Sequence, residues 1–204
     1  MNDLEHIVIV SGSHRVHSQS RRVAEFIRET LGIRFGTATH VIDLAEAEIP
    51  MWEEGVRSGG TVWAKAWAPV ARQLETADGL VLVVPEWAGM VPPAVKNFLL
   101  LCVAELAHKP ALIISVSAGD GGAYPVAELR AFGFKNNRVC YIPDHVILRH
   151  VDELLEGSEA IHPADANARA RIRHSLSMLL LYASALKQVR QAPEYDLSQF
   201  PYGM

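Results

Sequence analysis

Residues 7–20 read Ile-Val-Ile-Val-Ser-Gly-Ser-His-Arg-Val-His-Ser-Gln-Ser. The stretch opens with four consecutive β-branched residues, which favour a strand. A hydroxyl-rich loop follows the strand. Directly after this loop, a stripe of apolar residues with helical spacing begins, made of Val23, Phe26, Ile27 and Leu31. A strand, a polar loop and a helix in this order form the first half of a βαβ unit.

The same alternation continues along the chain. Apolar runs without polar alternation are typical of parallel strands buried on both faces. They occupy residues 80–84, 112–116 and 139–142, and a weaker run occupies residues 40–44. Gly32 is the expected end of the first helix, and further helical patterns cover residues 66–74, 94–106, 126–134 and 165–191. This alternation predicts a single doubly wound α/β domain over residues 1–204. The longest irregular segment, residues 46–60, has a length at which loops are usually functional or mobile.

Composition and charge exclude several classes of protein. With 50% hydrophobic and 21% charged residues, the chain has the mix of a folded domain, not of a disordered one. Its uncharged apolar stretches, such as residues 98–104, are far too short to span a bilayer, and a net charge of −4 argues against a nucleic-acid partner. Asp3 and Glu5 stand where a secretory signal would be positive. Cys102 and Cys140 lie in apolar runs, as buried thiols do. We therefore expect a cytoplasmic protein.

In an open parallel sheet, ligands bind beyond the carboxyl ends of the strands. Three loops in this position stand out, and we call them the first loop (residues 11–20), the second loop (residues 85–93) and the third loop (residues 117–122). The first loop offers four serine hydroxyls, Arg15 and the start of a helix, which together suit an anion. A dinucleotide fingerprint needs three glycines, whereas this loop has only Gly12. The loop therefore indicates the terminal phosphate of a mononucleotide; a loop of helix caps and turns without a ligand is the alternative.

The second and third loops are suited to a flat ligand. The third loop has three glycines in six residues, which allows backbone N–H groups to approach a ligand closely. Trp87 in the second loop suits either a contact with an aromatic ring or an anchoring position in a core or interface. The chain's histidines lack cysteine or carboxylate partners at metal-ligand spacing, so we expect no metal site at His14, His17, His145 or His150.

Taken together, the three loops resemble the NADPH-dependent FMN reductases, a flavodoxin-like family that includes azoreductases, quinone reductases and chromate reductases. The matching residues are Gly12-Ser13-x-Arg15-x-x-Ser18-x-Ser20, Pro85-Glu86-Trp87-Ala88 with Pro92 and Lys96-Asn97, and Ser117-x-Gly119-x-Gly121-Gly122 followed by Leu129-Arg130. The order of elements matches from about residue 5 to residue 190. The chain departs from the family pattern at two positions, where Trp87 replaces a tyrosine and Ala88 replaces an asparagine.

The resemblance implies a three-layer flavodoxin-like fold, with a five-stranded parallel sheet in the order 2-1-3-4-5 and helices on both faces. It implies an enzyme that transfers a hydride from NADPH or NADH to N5 of FMN and then passes electrons to a flavin, quinone, azo or other small acceptor. No side chain is expected to be catalytic, because the flavin carries the chemistry. The implied FMN-binding residues are Ser11, Ser13, Arg15, Ser18, Gln19, Ser20, Pro85, Glu86, Trp87, Ala88, Gly89, Ser117, Gly119, Asp120, Gly121 and Gly122.

A non-enzymatic flavodoxin-like electron carrier or partner-binding module is the alternative function, motivated by Ala88. Dedicated carriers are usually more acidic than a net charge of −4, because they dock on basic partners. The helix predicted at residues 94–106 is apolar on more than one face. Together with the resemblance, this pattern predicts a homodimer or homotetramer.

Three further expectations concern charged residues. Lys96 could form an ion pair with Glu86, within or between subunits. The basic run of Arg169, Arg171 and Arg173 is expected to be solvated or to lie at an interface. Arg57 is a candidate for contact with the 2′-phosphate of NADPH, although a lone loop arginine is more often solvated.

Overall fold

The computed structural model of the chain describes residues 5–56, 58 and 60–201. One parallel sheet contains the strands β1 (His6–Ser11), β2 (Ala38–Asp43), β3 (Gly79–Pro85), β4 (Pro110–Val116) and β5 (Cys140–Leu148). The strand order is β2-β1-β3-β4-β5, which confirms the order that the resemblance implies. The order reverses between β1 and β3, so the loops that follow these two strands border a crevice.

Helices cover both faces of this sheet. In chain order they are α1 (Gln19–Thr30), α2 (Thr61–Ala66), α3 (Ala68–Thr76), α4 (Pro93–Leu101), α5 (Ala123–Ala131) and α6 (Pro163–Gln191). One core lies between the sheet and α1 with α6, and a second lies between the sheet and α2 to α5. Every residue of β3 and β4 is buried, which explains why their sequences do not alternate. None of the helices in the described part of the chain is long and apolar enough to cross a membrane.

Several element boundaries differ from the sequence predictions. Gly32 does not end the first helix; the chain continues through a π-helical turn, Leu31–Phe35, and leaves it at Gly36, whose φ of 65° favours glycine. The pattern at residues 66–74 belongs to two helices, α2 and α3, because a proline in the first turn of α3 has no N–H to continue α2.

The predicted helix over residues 94–106 is also interrupted. It ends at Leu101 and resumes as a short 3₁₀ turn at Ala104–Leu106. The Glu105 carboxylate accepts a hydrogen bond from the N–H of Val103 at 2.6 Å, which takes that amide out of the helical pattern. β5 is longer than the four residues predicted, because it continues past Pro143 to Leu148.

The segment between β5 and α6 is held by a buried ion pair. Asp165 is fully buried, and its carboxylate accepts hydrogen bonds from the N–H groups of Leu155 at 2.8 Å and Ile161 at 3.2 Å. Both carboxylate oxygens also lie 3.1 Å from Nε of Arg169, whose terminal nitrogens donate to the carbonyls of residues 156–158. Burial favours a higher pKa for Asp165, but these hydrogen bonds and the guanidinium outweigh it and hold the pKa below its usual value.

The surface expectation for the basic run is therefore wrong for Arg169, which is only 4% exposed. Arg171 is exposed and Arg173 is half-exposed, as expected. Arg169 differs from both because Asp165 stands four residues before it, so the two side chains meet on one helix face.

A buried lysine, Lys109, directly precedes β4, at the end of the sheet where the parallel strands begin. Lys109 is 6% exposed, and its Nζ donates to the carbonyls of Leu74 and Glu75 at 2.6 and 2.7 Å. These carbonyls belong to the C-terminal turn of α3, where cations are favourable. Burial lowers the pKa of Lys109 to about 8.

Candidate functional site

The first loop is packed tightly at Gly12. The N–H of Gly12 donates to the carbonyl of Val83 at 2.8 Å. A Cβ atom at this position would lie 2.6 Å from Cγ2 of Val95 and 2.8 Å from the Val83 carbonyl oxygen. Glycine is required here by the packing of the loop on β3 and α4. At the other end of the loop, Ser18 accepts a hydrogen bond from the N–H of Arg21 at 3.1 Å and caps α1.

Two hydroxyl groups of the first loop are buried without a hydrogen-bond partner. Ser11 and Ser20 are 0% and 1% exposed, and neither Oγ has a partner among the described residues. Buried polar groups are normally paired, so these hydroxyls suit a ligand that supplies the missing partner. The N–H of Arg15 donates to Ser13 Oγ at 3.2 Å, while the Arg15 residue itself is exposed. Together with the free N–H groups of the first turn of α1, these side chains can bind an anion.

The second loop contains a tight turn. Trp87 and Met90 exchange backbone hydrogen bonds of 3.1 and 2.9 Å. Between them, Ala88 and Gly89 have φ values of 49° and 72°. Positive φ at both central positions is the property of a type I′ turn, for which Asn-Gly is a preferred sequence. Trp87 is half-buried, and the ring of His14 meets it edge-on with 4.5 Å between ring centroids, which joins the first and second loops.

Glu86 connects the second loop to the third. Its carboxylate accepts hydrogen bonds from the N–H groups of Gly122 at 2.6 Å and Tyr124 at 3.3 Å, at the start of α5. A carboxylate in this position is stabilised by the N-terminal end of the helix. The expected ion pair with Lys96 is therefore wrong within the chain, since Nζ of Lys96 lies 2.5 Å from the Glu128 carboxylate instead.

The third loop is held in place from the end of β5. Nε of Arg149 donates to the carbonyls of Asp120 and Gly121 at 2.7 and 3.0 Å. Nε2 of His150 lies 2.9 Å from the Asp120 carboxylate, and the His150 backbone N–H donates to Gly119 at 3.4 Å. These contacts fix the path of the glycine-rich backbone.

A cavity of about 200 Å³ lies where the three loops meet. It is lined by eight of the predicted residues, Ser13, Arg15, Ser18, Gln19, Ser20, Pro85, Glu86 and Trp87. The other eight are in the same loops but outside this lining, namely Ser11, Ala88, Gly89, Ser117, Gly119, Asp120, Gly121 and Gly122. Val116, Ala118 and Val151 also line the cavity and were not among the predicted residues. Val151 follows β5, and residues 149–156 after this strand contain no serine, threonine or glycine that would indicate a site.

Asn97 anchors the irregular segment after β2 beside α4. It is 5% exposed; its Nδ2 donates to the carbonyl of Pro50 at 2.9 Å, and its Oδ1 accepts from the N–H of Trp52 at 2.7 Å. The Lys-Asn pair that contributed to the resemblance therefore has a structural function in this chain. Arg57, the candidate for a coenzyme phosphate, lies outside the described residues.

The described residues include no group of three or more His, Cys, Asp and Glu side chains placed to bind a metal ion. Both cysteines are free thiols, with Cys102 buried and Cys140 half-buried. Burial raises the pKa of the Cys102 thiol well above its usual value and also raises that of Cys140. Such thiols are poor nucleophiles, because the thiolate is the reactive form.

Comparison with known proteins identifies the family. A family model described as NADPH-dependent FMN reductase matches residues 6–153, and the chain belongs to this family. An NADPH azoreductase from Bacillus sp. (strain OY1-2) is 25% identical over 192 residues, which cover 91% of this chain and 96% of that protein.

Two solved structures illustrate the shared fold. An oxidoreductase from Corynebacterium diphtheriae has a TM-score of 0.66 at 18% identity, with 91% of this chain and 98% of that chain covered. FerB, a flavoenzyme NAD(P)H:(acceptor) oxidoreductase from Paracoccus denitrificans, has a TM-score of 0.67 at 16% identity, with the same coverage of 91% and 98%.

Family membership confirms the central sequence predictions. The chain is an NAD(P)H-dependent oxidoreductase with FMN as its cofactor, built on a flavodoxin-like fold. Family membership therefore favours an enzyme over a non-enzymatic electron carrier or partner-binding module.

Proposed function

We propose that the cavity between the three loops binds FMN, with the flavin phosphate on the first loop. The buried hydroxyl of Ser20 supports this proposal most directly, because it lines the cavity, has no partner among the described residues and would gain an acceptor from a phosphate. Arg15 provides a charge-assisted contact, and the N-terminal turn of α1 adds backbone donors. Ser13, Ser18 and Gln19 complete the phosphate contacts.

The second and third loops would hold the isoalloxazine ring. The Trp87 side chain and the backbone of residues 85–89 would bind one side of it, and the backbone of residues 117–122 would bind the other. Glu86 acts as a positioning residue, because its carboxylate already holds the start of α5. Backbone N–H groups in the third loop would be available to stabilise negative charge on a bound flavin.

The bound flavin supplies hydride chemistry at its N5 atom. The chain binds the cofactor, orients it and leaves one side open for the coenzyme and then the acceptor. Met90 in the second loop and Tyr124 at the start of α5 are 52% and 66% exposed. Apolar side chains at the rim favour planar aromatic acceptors such as flavins, quinones or azo compounds, and the azoreductase relative supports this acceptor class.

We also propose that the protein is a cytoplasmic homodimer or homotetramer. The free thiols support a reducing compartment. An exposed apolar surface supports self-association, because Leu100 is 63% exposed while Val103, Phe132 and Phe134 are each 44% exposed. Sedimentation at micromolar concentration should give a species larger than the 22.4 kDa monomer. A monomer alone would contradict this part of the proposal.

The flavin proposal is tested by comparing FMN with riboflavin, which lacks the phosphate. Arg15→Ala combined with Ser20→Ala should weaken FMN by more than about 10- to 100-fold, since that is the effect of losing one charge-assisted contact, and should weaken riboflavin little. Ser20 is preferable to Ser18 because Ser18 also caps α1. Ser175→Ala is the matched control, since Ser175 Oγ is equally buried and unpartnered but lies on α6; its affinity for both ligands should be unchanged.

Equal weakening of both ligands would show that the first loop is only structural. Failure of the unmodified protein to bind either ligand would overturn the flavin site itself. Steady NADPH oxidation with a small quinone as sole acceptor distinguishes the enzyme from a carrier, which would need a protein partner.

A further inference from the structure

A second cavity lies between the outer edge of β5 and the N-terminal part of α6. We call it the edge groove; its volume is about 580 Å³, within the range of small-ligand sites. Its apolar walls are formed by Val146, Leu148, Leu154, Ala164 and Ala168. β5 is the last strand of the sheet, so half of its backbone N–H and C=O groups face the groove instead of another strand.

The charged side chains of the edge groove are all cationic or imidazole groups. Arg149, Arg171, His145 and His150 contribute to the lining, and no Asp or Glu among the described residues does. This composition is notable because the whole chain has 23 acidic and 19 basic side chains. The groove therefore favours an anionic ligand.

Both arginines retain capacity for a ligand. Of the three guanidinium nitrogens of Arg149, only Nε has hydrogen-bond acceptors among the described residues, so the two terminal nitrogens are free. Arg171 makes only long contacts, 3.5 Å to the Asp144 carboxylate and 3.4 Å to the carbonyl of His145, and its side chain is 47% exposed. Each of these guanidinium groups can bind a phosphate group. They lie at different positions along the groove, because Arg149 contacts the third loop beyond the end of β5 whereas Arg171 lies beside His145 within β5.

The edge groove adjoins the proposed flavin cavity. Arg149 and His150 line the groove, and the next residue, Val151, lines the flavin cavity. Arg149 and His150 also hold Asp120 in the third loop. A single extended ligand can therefore have one end at the flavin and the other end in the groove.

We propose that the edge groove binds the phosphorylated adenosine half of NADPH. The apolar walls contact the adenine and the free edge of β5 provides hydrogen bonds to it. Arg171, at the far end of the groove, binds the 2′-phosphate that distinguishes NADPH from NADH, and Arg149, beside the flavin cavity, binds the 5′-phosphate side. This assignment rests on the proposed flavin site, because the nicotinamide must reach the flavin ring from the groove.

The test measures binding of adenosine 2′,5′-bisphosphate to the flavin-free and the FMN-loaded protein by calorimetry. Arg171→Gln should raise its Kd about tenfold, as expected for one charge-assisted contact. It should raise the KM for NADPH similarly and leave the KM for NADH, kcat and FMN affinity unchanged. Ala164→Trp, which fills the groove without changing its charge, should also weaken the bisphosphate. Arg173→Gln is the matched control, because Arg173 is on the same helix but lines a different cavity with Phe26 and Glu29.

Equal binding of the bisphosphate to the unmodified protein, Arg171→Gln and Ala164→Trp would overturn the proposal, as would the absence of binding to the unmodified protein in both forms. Restoration of tight binding by Arg171→Lys would support a charge contact. If the bisphosphate binds as expected but FMN binding is insensitive to the first loop, the flavin proposal fails; the edge groove then stands as a phosphate-binding site, and its assignment to NADPH is overturned.

Discussion

Ala88 occupies a backbone conformation that alanine disfavours. Its φ of 49° places it at the first central position of the type I′ turn in the second loop. A non-glycine residue in this left-handed region costs about 1–2 kcal/mol, and asparagine is among the residues that tolerate it best. Ala88→Asn should therefore increase the free energy of unfolding by about 1 kcal/mol. For a chain of this length, that gain corresponds to a rise in Tm of about 2–4 °C.

Substitution by other residues separates backbone strain from other effects. Ala88→Gly should stabilise less than Ala88→Asn, because glycine also increases the entropy of the unfolded chain by roughly 0.4–1 kcal/mol. Ala88→Val should destabilise, since a β-branched residue is a clear outlier at positive φ. Ala192→Asn is the control, because Ala192 has a φ of −65° and gains nothing from asparagine.

The measurement is urea unfolding of the flavin-free protein, in which a shift of the midpoint at constant m-value reports a change in stability. If Ala88→Asn lowers the midpoint, or if asparagine and valine behave alike, then Ala88 is not held at positive φ and the assignment of the turn is refuted.

Two buried ionisable groups give further predictions. Lys109 has a pKa of about 8 in the folded chain against 10.5 for the free side chain. Between these two pH values the unfolded state binds more protons than the folded state. The stability of the wild type relative to Lys109→Met should therefore rise by up to roughly 3 kcal/mol from pH 8 to 10.5. Parallel pH curves for the two proteins in urea unfolding would contradict this. The pKa of Asp165 is lowered in the folded chain. Its carboxylate therefore stabilises the fold above the unfolded pKa of about 3.9, and this stabilisation is lost as the pH falls through the lower folded pKa. Arg169→Met should thus cost about 3–5 kcal/mol at neutral pH and move acid unfolding to higher pH, whereas Arg173→Met should do neither, as followed by circular dichroism.

The fold was predictable because the central strands β3 and β4 are buried at every position, so their sequences are almost entirely apolar. The general location of the site was predictable for a related reason, since the loops after such strands lie at one edge of the sheet. The ion-pair partner of Lys96 was not predictable from the sequence. Lys96 has both Glu86 and Glu128 as candidate partners in the sequence, and only the packing of α4 against α5 brings Glu128 within 2.5 Å.

The backbone conformation of single residues was also not predictable from the sequence. Nothing in an isolated alanine indicates that Ala88 adopts positive φ, although the following Gly89 is a signal for a turn. Arg169 was misplaced because the burial of Asp165 depends on the path of residues 154–161, which have no periodic pattern. Val151 was missed because residues 149–156, directly after the edge strand, contain no serine, threonine or glycine.

Gly12 has a consequence for how this chain and its descendants would diverge. The space around its missing side chain is filled by Val95 and the Val83 carbonyl, so selection for folding alone is enough to retain it. A descendant that had lost its cofactor would keep this glycine while the neighbouring serines and Arg15 drifted. In such a lineage, the glycine at the end of the first strand would record ancestry, and only the hydroxyls and the guanidinium would record whether the chemistry had survived.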